Sequence, residues 1–148
     1  MTKIFMQTDG GSRGNPGPAG AGVFIYNEKN EIIRKAHLFL GTMTNNEAEY
    51  QAVILGLETL KKVFGKEKLR NLDIVARLDS ELVCKQLRGE YQVKEEKLVP
   101  LFMKIWNARV SDFPQISFEH IPREKNEEAD KLANQAMDEG ETEQGGLF

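Results

Sequence analysis

Apolar residues alternate and cluster along the chain with periods that change from strand to helix. Ile4 to Thr8 reads as a strand running into Asp9. Gly10 to Gly20 is dense in turn formers, with Gly14, Asn15, Pro16, Gly17 and Pro18 among them, and predicts a loop. Apolar stretches from Ala21 to Tyr26 and from Ile32 to Leu40 flank Asn27-Glu28-Lys29-Asn30, which predicts two strands and a hairpin-type turn. Links this short make antiparallel neighbours. The period then becomes helical. Ala48, Ala52, Val53, Leu55, Leu57, Leu60 and Phe64 form a broad apolar face, with Thr44 as N-cap, Glu47 completing a capping box, and Gly65 as a stop. Leu72 to Leu78 is mostly apolar and reads as a fourth strand, buried on both faces and ending at Asp79. A short helix is expected from Ser80 to near Gly89. Another runs from Leu98 to Val110, with Leu98, Leu101, Phe102, Ile105 and Trp106 on one side and Trp106 as a core anchor. Ile116 to Ile121 is a fifth strand. Asn126 to Met137 is the last helix, burying Ala129, Leu132, Ala133, Ala136 and Met137.

The order βββαβααβα specifies an α/β fold. Three strands form an antiparallel meander, and two more arrive by helical crossovers and lie parallel to the first. The result is a mixed five-stranded sheet with helices on both faces. The 148 residues suit a single domain over residues 1–140, followed by a mobile Gly- and Glu-rich tail that begins around Asp138 and occupies residues 141–148. No apolar run approaches the roughly 20 residues that cross a bilayer. Met1 to Phe5 has no signal-peptide layout. The single cysteine, Cys84, excludes an internal disulfide and is read as a packing residue. A cytoplasmic monomer is the expectation. The net charge of −3 sits awkwardly with a phosphate-rich partner, unless basic patches and bound cations offset it.

Acids at the ends of predicted elements then change the picture. Asp9 closes the first strand and Asp79 the fourth; parallel neighbours would bring both to one sheet edge, where open α/β sheets bind ligands. Glu49 and Asp130 lie in the first turns of the first long helix and of the last one. Glu47 is an equal candidate beside Glu49. Clustered carboxylates raise one another's pKa values, and a divalent cation relieves the conflict. An all-oxygen donor set suits Mg²⁺, with Mn²⁺ as a substitute. Two such ions, roughly 3.5–4 Å apart, can activate water and stabilise a leaving oxygen in phosphodiester cleavage. The bland alternative is a set of solvated acids, since the chain has 23 acidic residues to draw from.

Four segments carry these acids: Thr8-Asp9-Gly10-Gly11-Ser12, Thr44-Asn45-Asn46-Glu47-Ala48-Glu49, Leu78-Asp79-Ser80-Glu81-Leu82-Val83 and Asn126-Glu127-Glu128-Ala129-Asp130-Lys131-Leu132-Ala133. In order and spacing they resemble type 1 ribonuclease H, over about residues 1–140. The resemblance implies the ribonuclease H-like fold. It implies an endonuclease that hydrolyses the RNA strand of RNA–DNA hybrids with two metal ions, leaving 5′-phosphate and 3′-hydroxyl ends. It selects Glu49 over Glu47 as the metal ligand, with Asp9, Asp79 and Asp130 completing the set. It also implies that Gly10, Gly11, Ser12, Asn15, Asn45 and Asn46 read the substrate and its 2′-hydroxyls, and that Thr44 touches a DNA-strand phosphate.

The chain departs from many members of that family in two places. A flexible-loop His before the last Asp is replaced by the short stretch Ile121-Pro122-Arg123-Glu124-Lys125, which makes Arg123 the candidate for that role. His120 falls inside the fifth strand and is expected to pack. A basic, Trp-rich helical insertion after the third carboxylate is absent. Lys61, Lys62, Lys66, Lys68 and Arg70 form one basic run, and Lys85, Arg88, Lys94 and Lys97 are scattered among acids. The last five residues resemble the short peptide that docks into bacterial sliding clamps, with Gln144, Leu147 and Phe148 as its anchors. A catalytically dead hybrid-binding module is disfavoured by the four intact acids. A resolvase, transposase or exonuclease on the same fold is disfavoured by the Asn45-Asn46 pair and the Gly-rich segment.

Overall fold

A computed structural model describes the backbone of residues 1–146 and the side chains of residues 1–142. Strands β1 (Thr2–Ser12), β2 (Gly17–Asn27) and β3 (Ile32–Met43) come first. They are followed by α1 (Asn45–Phe64), the single turn α2 (Lys66–Leu69), β4 (Leu72–Leu78), α3 (Glu81–Leu87), α4 (Val99–Ser111), β5 (Ser117–His120) and α5 (Glu127–Gly146). The sheet order is β3-β2-β1-β4-β5, with β1 at its centre. β1 pairs antiparallel with β2, and β2 with β3; β4 runs parallel to β1, and β5 to β4. The expected mixed sheet is therefore present, with α2 as one added helical turn.

Alternation along the strands divides the interior. Ile4, Met6, Val23, Ile25, Ile74, Ala76 and Leu78 face a core with Tyr50, Val53, Leu57 and Leu60 of α1, Val83 and Leu87 of α3, and Ile105 of α4. α5 covers the opposite face over β2, where Ala129, Ala133 and Ala136 are buried. Gly22 and Gly20 make this possible, because a Cβ at either would run into the α5 backbone at Ala129 or Ala133. Cys84 is fully buried, as expected of a packing residue.

Several expectations need correction. The predicted loop from Gly10 to Gly20 is largely strand, since pairing continues through Gly10↔Ala21, Gly11↔Gly20 and Ser12↔Ala19. Its glycines serve helix packing more than turning. Trp106 is 47% exposed and is no core anchor. Each helical residue turns the side chain by about 100°, and Ile105, 1% exposed, takes the inward position. Trp106 instead stacks on Phe102 at 6.5 Å between ring centroids. The expected tail from Asp138 is helical as far as Gly146. Gly140 packs against the Phe39 ring, and His37 Nε2 lies 2.9 Å from Glu139 Oε2. Of the proposed clamp-docking anchors, Leu147, Phe148 and the side chain of Gln144 lie outside the described residues. No helix among the described residues is long and apolar enough to cross a membrane.

Candidate active site

The parallel register Thr8↔Leu78 sends Asp9 and Asp79 out of neighbouring strands side by side. The third acid depends on where α1 begins. Thr44 fixes that point: its Oγ1 accepts from the Glu47 N–H at 3.2 Å, while the Thr44 N–H donates to Glu47 Oε1 at 3.1 Å. Glu47 is thus spent on the cap. Glu49, one turn on, faces β1. It gets close because Gly10 has no side chain; a Cβ there would overlap the Ala48 carbonyl and crowd the Glu49 amide. Asp130 comes from the first turn of α5, which Gly20 and Gly22 allow to lie against the sheet.

Asp9, Glu49 and Asp79 each offer a carboxylate oxygen within 4.8 Å of the others. Asp9 and Glu49 are each 8% exposed. Burial pushes the Asp9 carboxyl up to about 8, with Asp79 and Asp130 adding to the rise. Burial also holds Glu49 well above the usual carboxylate range, reinforced by the charges of Asp9 and Asp79. Glu49 Oε2 is buried without a hydrogen-bond partner. Asp130 stands half-buried at the rim of the same cavity, close enough to act on Asp9. Converging acids with an orphaned buried oxygen and no thiol or imidazole among them fit a hard divalent cation such as Mg²⁺ or Mn²⁺. Asp9, Glu49, Asp79 and Asp130 are the residues that would hold it.

The cavity over this cluster has a volume of about 460 Å³. Its walls include Gly10, Gly11, Ser12, Asn45, Asn46, Ser80, Arg123 and Asn134. Asn45 Oδ1 accepts from the Ser12 N–H at 3.0 Å, and Asn15 Oδ1 accepts from the Asn45 N–H at 3.0 Å. The end of β1 and the start of α1 are thereby stitched together. Asn46 Nδ2 donates to Glu95 Oε1 at 2.8 Å.

Comparison with known proteins bears directly on this arrangement. The family described as reverse transcriptase-like matches residues 7–136. LC11-RNase H1, isolated from compost, is 46% identical in its solved structure, covering 95% of this chain and 99% of its own, with a TM-score of 0.89. The same protein has been solved in complex with RNA/DNA hybrid, at 45% identity over 93% of this chain and 98% of its own, again with a TM-score of 0.89. The chain belongs to the type 1 ribonuclease H family. The ribonuclease HI of Halobacterium salinarum is 41% identical over 139 residues, 93% of this chain and 65% of that protein. A bifunctional protein of Mycobacterium tuberculosis is 38% identical over 137 residues, 92% of this chain; the chain spans only 36% of that relative's length.

Within this ribonuclease H fold, ten of the twelve residues singled out from the sequence line one cavity: the four acids, Gly10, Gly11, Ser12, Asn45, Asn46 and Arg123. Asn15 and Thr44 stand behind its wall, the first bonded to the Asn45 backbone and the second capping α1. His120 does not pack. Its ring is exposed at the end of β5, with Nε2 3.3 Å from the Asp79 carbonyl oxygen. The residue that sequence reasoning missed is Asn126. It is fully buried, and its Nδ2 donates to both the Thr8 carbonyl and Asp79 Oδ2, at 2.9 Å each. One amide thus ties the Asp79 carboxylate to the strand that carries Asp9. The available signal was an Asn at the start of the last helix, but helix capping accounts for such a residue equally well.

Proposed function

We propose that the chain is an endonuclease that hydrolyses the RNA strand of RNA–DNA hybrids using two divalent cations, and leaves 5′-phosphate and 3′-hydroxyl ends. The observation that carries this is the convergence of buried Asp9 and Glu49 with Asp79 beneath a cavity lined by short polar groups. A relative with 45% identity binds RNA/DNA hybrid, which supports the substrate.

Asp9, Glu49, Asp79 and Asp130 would hold the cations, and the Asn126 amide fixes the Asp79 carboxylate for that role. The cations, when bound, supply Lewis-acid activation of water and neutralise charge at the departing oxygen. Backbone groups of Gly10 and Gly11, with Ser12, Asn45 and Asn46, present donors and acceptors at close range to a ribose 2′-hydroxyl. Asn15 holds Asn45 in position for this. Thr44, at the helix start, meets a DNA-strand phosphate. Arg123 faces the scissile phosphate and stabilises its charge. A guanidinium stays protonated and takes no part as a base.

A cleavage assay on labelled RNA–DNA hybrid, duplex DNA and duplex RNA tests this reading. Cleavage of the hybrid's RNA strand is expected with Mg²⁺ or Mn²⁺ and not with EDTA, and Asp9→Asn abolishes it. Ligation of the products without prior kinase treatment checks the end chemistry. Cleavage that survives EDTA or Asp9→Asn would sink the mechanism. The terminal peptide Gln144, Leu147 and Phe148 is proposed to dock a bacterial sliding clamp. Pull-down with a cognate clamp should lose the chain when Leu147 and Phe148 are both replaced by Ala; equal capture ends that idea.

A further inference from the structure

Arg13 also lines the cavity, a position the carboxylate scheme leaves without a role. It lies in the bend between β1 and β2, and its guanidinium reaches across to α5. Nη2 is 2.7 Å from Asp138 Oδ1, and Nη1 is 2.8 Å from Glu141 Oε2. Nη2 also stands 3.5 Å from both the carbonyl oxygen and Oδ1 of Asn134. Arg123 shares the cavity but has no ion pair among the described residues.

The backbone beneath Arg13 is anchored. Its N–H donates to the Pro18 carbonyl at 2.8 Å, and the neighbouring Ser12 Oγ donates to the Met43 carbonyl at 2.8 Å. The side chain is less constrained. Its exposure is 35%, and its partners Asp138 and Glu141 are 68% and 39% exposed. Pairs this wet are each worth about 0–1 kcal/mol. Fold stability therefore gives little reason for a cation to stand at this rim. A planar fork with paired N–H donors matches a phosphate as well as it matches a carboxylate.

We propose that Arg13 grips a backbone phosphate of the bound nucleic acid, and that Asp138 and Glu141 compete with that phosphate for the same guanidinium. The inference rests on a nucleic-acid substrate, as argued above. Arg13 thus sets affinity, and the two acids hold it oriented but attenuate its grip. Binding exchanges one anionic partner for another on a fixed stem, and the backbone has no need to move. The acids also repel phosphates directly, so only their coupling to Arg13 reports the competition.

Hybrid cleavage is measured across a salt series for the wild-type chain, Arg13→Met, Arg13→Lys, the pair Asp138→Asn with Glu141→Gln, and that pair combined with Arg13→Met. Arg13→Met should raise KM by about 3–10-fold with kcat nearly unchanged, and lower the slope of log KM against log salt by about one, as for one lost phosphate contact. Arg13→Lys keeps the charge and should keep the slope while losing part of the affinity. The acid-neutral pair should lower KM in the wild-type background, and do so less when Arg13 is Met. If Arg13→Met folds and cleaves with an unchanged salt slope, the contact is overturned. So too if the acid-neutral pair acts equally in both backgrounds. These outcomes differ from loss of the proposed function itself, in which the wild-type chain would cleave no hybrid at all.

Discussion

Asp9→Asn should stabilise the metal-free protein near neutral pH while abolishing its chemistry. Asp9 is 8% exposed, and its carboxyl is pushed from the ordinary range up to about 8, first by burial and then by Asp79 and Asp130. Between the unfolded value of about 4 and the folded value, the native chain binds the Asp9 proton and the unfolded chain does not. Stability contributed by this proton is complete at low pH and is lost as pH rises toward the folded value. Each pH unit inside that window removes about 1.4 kcal/mol, so moving from pH 5.5 to 7.5 removes roughly 2–3 kcal/mol. For a chain of 148 residues this lowers Tm by about 5–10 °C. An Asn at position 9 has no proton to lose. Thermal melts in EDTA should therefore show the wild type falling with pH by that much more than Asp9→Asn. Adding Mg²⁺ at the higher pH should restore the wild type and do little for the variant. Burial, the largest cause of the rise at Glu49, acts in both chains, so the difference between the two profiles reports Asp9. Parallel pH profiles in EDTA would refute the reasoning, because they would mean that the fold does not force Asp9 toward its neutral form.

Other residues offer further tests. Gly10→Ala places a methyl against the Ala48 carbonyl, so α1 must shift from β1; a loss of about 3 kcal/mol is expected in denaturant melts, with kcat falling as Glu49 moves. Asn126→Ala removes the donor shared by Thr8 and Asp79. It should cost about 1–3 kcal/mol of stability and about tenfold in Mg²⁺ affinity by calorimetric titration; unchanged metal affinity would show that Asp79 needs no such support. Thr44→Ala breaks the capping box and should cost about 1 kcal/mol, with a larger effect on KM than on kcat. Equal effects on the two would argue that Thr44 acts on Glu49 rather than on substrate.

The elements were legible because each carried a period or a punctuation mark of its own. Thr44 and Glu47 announced the start of α1 and formed the capping box expected of them. The apolar run Leu72–Leu78 announced a buried parallel strand, and it pairs with β1. What stayed hidden was chemistry that one residue type shares with another role. Glycine reads locally as a turn former, and only the tertiary structure shows that Gly10, Gly20 and Gly22 sit in strands where helix backbone presses against them. Trp106 reads as a core residue because it is large and apolar, yet one step around the helix separates it from the inward line held by Ile105.

The same distinction explains why the site was easier to read than its surroundings. Carboxylates at strand ends are intelligible from sequence once the strand order is known, because parallel pairing forces Asp9 and Asp79 together. Nothing local forces Asn126 to matter. Its importance comes from three elements meeting: β1 supplies the Thr8 carbonyl, β4 ends at Asp79, and the turn before α5 delivers the amide between them. Arg13 is the same case at the rim, where one bend meets the far half of α5. Residues that hold charge can be found by asking where charge clusters. Residues that orient charge are found only where separate elements converge, as β1, β4 and the turn before α5 do at Asn126, and as the β1–β2 bend and α5 do at Arg13.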